Sequence, residues 1–88
     1  MKVIFSEKGW DEYLELQKNN EKQMLQKINE LIKEIQRKGI SNGIGHPEPL
    51  KHQYSGCWSR RITQKHRLIY KLDESQNVII ISCQDHYD

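Results

Sequence analysis

The sequence contains no apolar run approaching the ~20 residues that a helix needs to cross a bilayer, which sets aside a membrane-spanning protein. The opening MKVIF holds an apolar cluster too short for the hydrophobic region of a secretory leader. It reads as a first strand, and a cytoplasmic location is expected. Cysteine is scarce: Cys57 and Cys83 form no CxxC pair, so both read as small core residues in a reducing compartment. His46, His52, His66 and His86 match no zinc spacing and include no i, i+4 pair, so neither a metal nor a cofactor is expected. Internal repeats, linkers and low-complexity segments are missing too. The 88 residues are therefore expected to form one domain, 1–88, around a single core.

Acid is missing where base is densest. Residues 49–72 carry six Lys/Arg, together with His52 and His66, and no Asp or Glu. Residues 1–48 balance eight Lys/Arg against eight Asp/Glu, whereas residues 73–88 carry four acids and no Lys/Arg. The formal net charge of +2 thus conceals local values of 0, +6 and −4. The stretch SRRITQKHRLIY, Ser59 to Tyr70, concentrates Arg60, Arg61, Lys65 and Arg67. Such a block is the footprint of a phosphate-rich ligand or an acidic partner. A solvated sheet edge guarded by Lys and Arg has the same composition.

What is present reads as an α+β chain. Residues 2–5 alternate as a short strand, and Ser6 can cap the helix that follows. Over residues 7–19, Trp10, Tyr13, Leu14 and Gln17 fall at helical spacing and predict an inward stripe. Asn19-Asn20 ends that helix, with Asn20 available to cap the next. Met24, Leu25, Ile28, Leu31, Ile32 and Ile35 then recur at i, i+1, i+4, i+7, i+8 and i+11, the pattern of an amphipathic helix. Gly39 supplies its stop. Residues 40–49 form a loop, 50–52 a short extended piece, and 57–62, 66–72 and 78–83 three strands. The run VIII predicts a central strand buried on both faces. The order β-α-α-β-β-β-β predicts two N-terminal helices packed on a mostly antiparallel sheet of four to five strands.

The hairpin within the basic block has a parity. A three-residue turn, Thr63-Gln64-Lys65, would set Arg61 opposite Arg67 on one face, and two facing guanidinium groups call for an anion between them. Glu48 is the only acid between Glu34 and Asp73, and Pro47 and Pro49 hold the backbone extended on either side of it. It suits a general base; it equally suits an exposed loop carboxylate. Histidine is the side chain whose unperturbed pKa of roughly 6.5 lies near physiological pH, so His86 could be a general acid. Tyr87 could stack on a base or orient a phosphate, unless both residues belong to a frayed polar tail. RNA cleavage without metal needs a base for the 2′-hydroxyl, an acid for the leaving 5′-oxygen, and cations for the phosphorane. Glu48, His86 and the Arg61/Arg67 pair match those roles.

The blocks HPEPLKH, SGCWSRRIT, HRLIYKL and the terminal HY, with WDEYLELQ and KINELIKEI before them, resemble the YoeB toxins of the RelE superfamily along nearly the whole chain. That resemblance implies a microbial-ribonuclease-like, RelE-like fold and a toxin that cleaves mRNA in the ribosomal A site. It implies Glu48 as general base, His86 as general acid and Arg67 as stabiliser of the scissile phosphate. Lys51 and Arg61 would bind phosphate, and Tyr87 would align the substrate. A YefM-type antitoxin is the implied protein partner, with an acidic, disordered segment for which the basic block is a target; mRNA and the ribosome are the others, no membrane is involved, and a homodimer is compatible. The chain departs from the family in placing Asp88 after the tyrosine. A basic module that grips RNA without cutting is the alternative, and a pure protein-interaction domain a further one; in either, Glu48 and His86 would be idle.

Overall fold

The computed structural model describes residues 1–86. Strand β1 (Val3–Phe5) leads through Ser6 into helix α1 (Glu7–Lys18), and the Ser6 hydroxyl accepts the Gly9 amide at 3.0 Å as the expected N-cap. Helix α2 (Lys22–Lys38) follows, and Gly39 closes it by donating its amide to the Ile35 carbonyl at 2.9 Å. Asn20 does not cap α2. It takes a left-handed φ of 56° in the link, and Glu21 stands at the cap without a side-chain hydrogen bond.

After the loop come β2 (Glu48–Pro49), a single 3-10 turn (His52–Tyr54), β3 (Trp58–Arg61), β4 (His66–Leu72) and β5 (Val78–His86). The extended piece expected at 50–52 thus lies earlier, at Glu48, where the chain pairs antiparallel with β3. The five strands lie in the order β1-β5-β4-β3-β2, with β1 parallel to β5 and every other pair antiparallel. Two helices on a mostly antiparallel five-stranded sheet is the α+β architecture expected from the element order.

Both helices cover one face of that sheet. Ile28, Leu31, Ile32 and Ile35 of α2 and Leu16 of α1 pack with Ile62, Leu68, Tyr70, Val78, Ile80 and Cys83 into one core. Each large apolar side chain buried there contributes roughly 1.5–3 kcal/mol. The α2 stripe is the one its periodicity predicts. The α1 stripe is not: Trp10 and Leu14 are 47% and 39% exposed, and the buried positions are Gly9 and Leu16. At Gly9 the helix comes so close to β5 that a Cβ would sit 2.5 Å from the Ile80 carbonyl oxygen. That approach turns the helix, so Trp10 stacks on Tyr13 at the rim of a groove of about 440 Å³ beside Phe5. Strand β5 is central, but within its VIII run only Val78 and Ile80 are fully buried. Ile79 and Ile81, on the face without helices, are half-buried rather than enclosed as the VIII run suggested.

Candidate active site

Side chains alternate across a strand, so core membership sorts β3 and β4 into two sets. Leu68 and Tyr70 face the helices. Their neighbours Arg67 and Ile69, with the cross-strand partners Arg61 and Ser59, face the other way. Two rows cross that face. One runs Glu48, Ser59, Ile69; the next runs Arg61, Arg67, Asp85. Residues diagonal to one another in adjacent rows lie about 7–8 Å apart, within reach of long side chains. Glu48 is therefore on the face that carries Arg61 and Arg67. It is exposed, as are Arg61 and Lys51, which follows β2 by two residues.

The hairpin turn sets the arginine pair. Ile62 and Thr63 both donate their amides to the His66 carbonyl, at 3.0 and 3.2 Å, and the Thr63 hydroxyl accepts the amides of Lys65 and His66. This closes a turn in which Arg61 stands directly opposite Arg67, the parity read from the sequence.

Strand β5 reaches that row only because it is irregular. Its register slips twice against β4, between Tyr70 and Ile69 and again between Ile69 and Arg67. Each slip places one extra residue on the β5 side, the arrangement of a β-bulge. The Glu12 carboxylate of α1 steadies this stretch, accepting the Cys83 amide at 2.9 Å and the Ser82 hydroxyl at 2.8 Å. Burial, with Glu12 adding to it, pushes the Cys83 thiol up to about 12, so it carries no thiolate for chemistry near neutral pH. The two slips bring Asp85 opposite Arg67, where its Oδ2 accepts from Nε at 2.7 Å; the two side chains are 17% and 21% exposed. The segment without acid in the sequence thus meets one in space.

His86 is next along β5 and so points away from Asp85. It pairs with His66, the two rings meeting edge-on with centroids 4.6 Å apart. His66 shares a shallow groove with Glu21 and Met24 at the start of α2, which places this ring pair at the helix side of the strand ends. Of the six residues singled out in the sequence, Glu48, Lys51, Arg61 and Arg67 gather around β2, β3 and β4. His86 stands at the end of the same strands but out of phase with them. Tyr87, and Asp88 after it, lie outside the described residues.

Arg60 differs from its neighbour in every respect. It is wholly buried on the helix side, donating Nε to the Tyr70 hydroxyl at 2.9 Å and its terminal nitrogens to carbonyls of the 39–45 loop. It contributes nothing to the basic face. Ser59, opposite Glu48, is 1% exposed, and its hydroxyl has no hydrogen-bond partner among the described residues. Neither Asp85 nor the buried role of Arg60 was read from the sequence. The signal for Arg60 was its adjacency to Arg61, since neighbouring strand residues cannot share a face.

Residues 5–87 match the family model of YoeB-like toxins of bacterial type II toxin-antitoxin systems. The chain belongs to that family. It is 49% identical to the toxin YoeB of Escherichia coli K12, over 99% of this chain and 100% of that protein. It superposes on the YoeB of a heterotetrameric YoeB-YefM toxin-antitoxin complex from Staphylococcus aureus with a TM-score of 0.87 at 44% identity, covering 99% of this chain and 98% of that one. A YoeB dimer from the same organism gives 0.88 at 44% identity, with the same coverage. The α+β architecture described above is the one these toxins share.

Proposed function

We propose that this toxin is a ribosome-dependent endoribonuclease that cleaves mRNA in the A site by metal-independent attack of the 2′-hydroxyl. The observation that carries the reading is the shared face: an exposed carboxylate, Glu48, one row from a facing pair of arginines. Glu48 takes the 2′-hydroxyl proton, and the 2′-oxygen bonds to phosphorus as the bond to the 5′-oxygen breaks. Arg61, Arg67 and Lys51 hold the charge that builds on the phosphorane oxygens. His86 gives its proton to the leaving 5′-oxygen, for which it has to leave His66 and turn over the end of β5. Tyr87 aligns the substrate beside it. The products are a 2′,3′-cyclic phosphate and a 5′-hydroxyl.

The toxin works in the cytoplasm, and among the described residues no helix is long and apolar enough to cross a membrane. A YefM-type antitoxin restrains it, as the similarity to the toxin of a YoeB-YefM complex supports. The similarity to a YoeB dimer makes a homodimer compatible with this reading.

The test is Glu48→Gln on programmed ribosomes, with the mRNA ends mapped. The rate is expected to fall roughly 10²–10⁴-fold, the span of one general base, with the fold intact because Glu48 is exposed. Cleavage at the parental rate removes Glu48 from the mechanism. A 5′-phosphate on the downstream fragment would mean that water attacked, and the mechanism fails. Binding with no cleavage by the parent protein leaves an RNA-gripping module.

A further inference from the structure

The loop that delivers Glu48 has little of its own to hold it. Residues 39–47 form no helix or strand, and the segment carries left-handed backbone at Gly39, Gly43, Gly45 and His46. A loop of this kind is ordinarily among the more mobile parts of a domain. Here one side chain gathers it. Arg60 Nη2 donates to the Gly39 carbonyl at 2.8 Å and the Asn42 carbonyl at 2.7 Å, and reaches the Ile40 carbonyl at 3.4 Å. Nη1 donates to the Ile44 carbonyl at 3.0 Å. The Tyr70 hydroxyl, held by Arg60 Nε, donates in turn to the Ile40 carbonyl at 2.6 Å. The next anchor is backbone: the Arg61 amide donates to the Gly45 carbonyl at 2.7 Å. Between that anchor and Glu48 stand only His46 and Pro47, and the proline fixes φ.

The position of Gly45 is equally determined. Its φ is 89°, and a Cβ there would lie 2.8 Å from Leu31 Cδ2 and 3.1 Å from Arg60 Cβ. The loop is pressed onto α2 and the Arg60 stem with no space to spare. A planar guanidinium suits this task, since it offers several donors in a fixed fork where an ammonium offers a point charge.

We infer that Arg60 is the positioning residue for the general base: its guanidinium binds the carbonyls of the 39–45 loop and thereby sets Glu48 in register with Ser59, one row from Arg61 and Arg67. This rests on the proposed function, and it assigns Arg60 no contact with RNA. Misplacing a catalytic group by about 1 Å can cost on the order of 10²-fold in rate. Loss of the clamp should therefore lower kcat far more than it raises KM, because the phosphate-binding cations stay on the rigid β3-β4 hairpin.

The experiment is a double-mutant cycle of Arg60→Met with Glu48→Gln, read as single-turnover cleavage on programmed ribosomes, with thermal melts of all four proteins. Arg60→Met is expected to lower kcat by about 10- to 100-fold with KM changed less than threefold. In the Glu48→Gln background it should cost almost nothing further, because the base it positions is already gone. A generic loss of stability would instead scale the rate in both backgrounds alike. Should Arg60→Met fail to fold, Tyr70→Phe removes the hydroxyl that joins Arg60 Nε to the Ile40 carbonyl, and the same cycle is run with it. A full multiplicative effect in both backgrounds, or a parental kcat for Arg60→Met, overturns the inference while leaving the Glu48 mechanism standing. A parental rate for Glu48→Gln alone overturns the mechanism instead, whatever Arg60 does.

Discussion

Asp85 sits where an RNA phosphate would be expected to bind, which makes Asp85→Asn the most informative single change on the basic face. Its carboxylate oxygen lies 2.7 Å from Arg67 Nε, and both side chains are mostly buried, at 17% and 21% exposure. A charge-assisted hydrogen bond of this kind contributes roughly 1.5–3 kcal/mol net, and residual solvent access places this one toward the lower end. A phosphate that takes over this nitrogen forfeits the bond and also meets the carboxylate's repulsion. Asparagine keeps the shape and removes the charge. The variant should therefore bind RNA about tenfold more tightly, equivalent to about 1.4 kcal/mol. With the Asp85 charge removed, Arg67 engages a phosphate more fully and displaces a counterion from the strand, so the log–log salt slope should steepen by about 0.7. Fluorescence anisotropy of a short labelled single strand, titrated at several salt concentrations, reads both quantities. The comparison is made in a Glu48→Gln background, where cleavage is expected to be roughly 10²–10⁴-fold slower. Unchanged affinity and slope would refute competition between Asp85 and phosphate. Weaker binding would reverse its role, making Asp85 the group that aims Arg67.

Two further outcomes follow from the scaffold. The Asp73 carboxylate accepts the Asn77 amide at 2.8 Å and the Ser75 amide at 2.9 Å, and these bonds, that of Asn77 foremost, hold its pKa below the ordinary carboxylate value. A depressed folded-state pKa gives stability that is present above the unfolded value of about 3.9 and is lost as pH falls through the folded one. Melts from pH 7 to pH 2 should show the parent losing its margin over Asp73→Asn below about pH 4, and parallel curves would exclude the linkage. Gly9→Ala, which at an exposed helix site would stabilise by about 1 kcal/mol, should here destabilise by roughly 1–3 kcal/mol. The added Cβ meets the Ile80 carbonyl oxygen at 2.5 Å, a backbone atom that cannot rotate away; a rise in Tm would disprove the close approach.

Legibility from sequence followed the physics of each element. Helix α2 was readable because its buried residues are all apolar and recur at the helical period. Helix α1 was misread because the residues against the sheet include Gly9, which has no side chain, and Glu12, which is polar and bonds to β5. Hydrophobic spacing then selected Trp10 and Leu14, which are exposed. Strand β5 was expected to stop at Cys83 because Gln84, Asp85 and His86 carry no apolar alternation. In the fold two bulges and the Glu12 carboxylate carry it three residues further. The Arg61/Arg67 pairing was legible because a turn's length fixes parity. The Asp85 contact was not, since it depends on two register slips that no local pattern announces.

The dipeptide Arg60-Arg61 shows why a charge count locates a basic face without describing it. Both residues belong to the same acid-free block, and composition weighs them equally. Strand alternation separates them by the thickness of the sheet: Arg61 faces Arg67 in the open, while Arg60 is buried among carbonyls beneath. Burying a guanidinium is costly unless its donors are satisfied, and the loop carbonyls supply that satisfaction. Those carbonyls, turned inward onto a wholly buried side chain, need a partner in turn. Each therefore answers the other's desolvation. The segment so fixed carries Glu48, the only acid between Glu34 and Asp73. A single strand of four residues thus presents Arg61 on one face and on the other holds in place the loop that leads to Glu48, the two parts that the proposed mechanism joins.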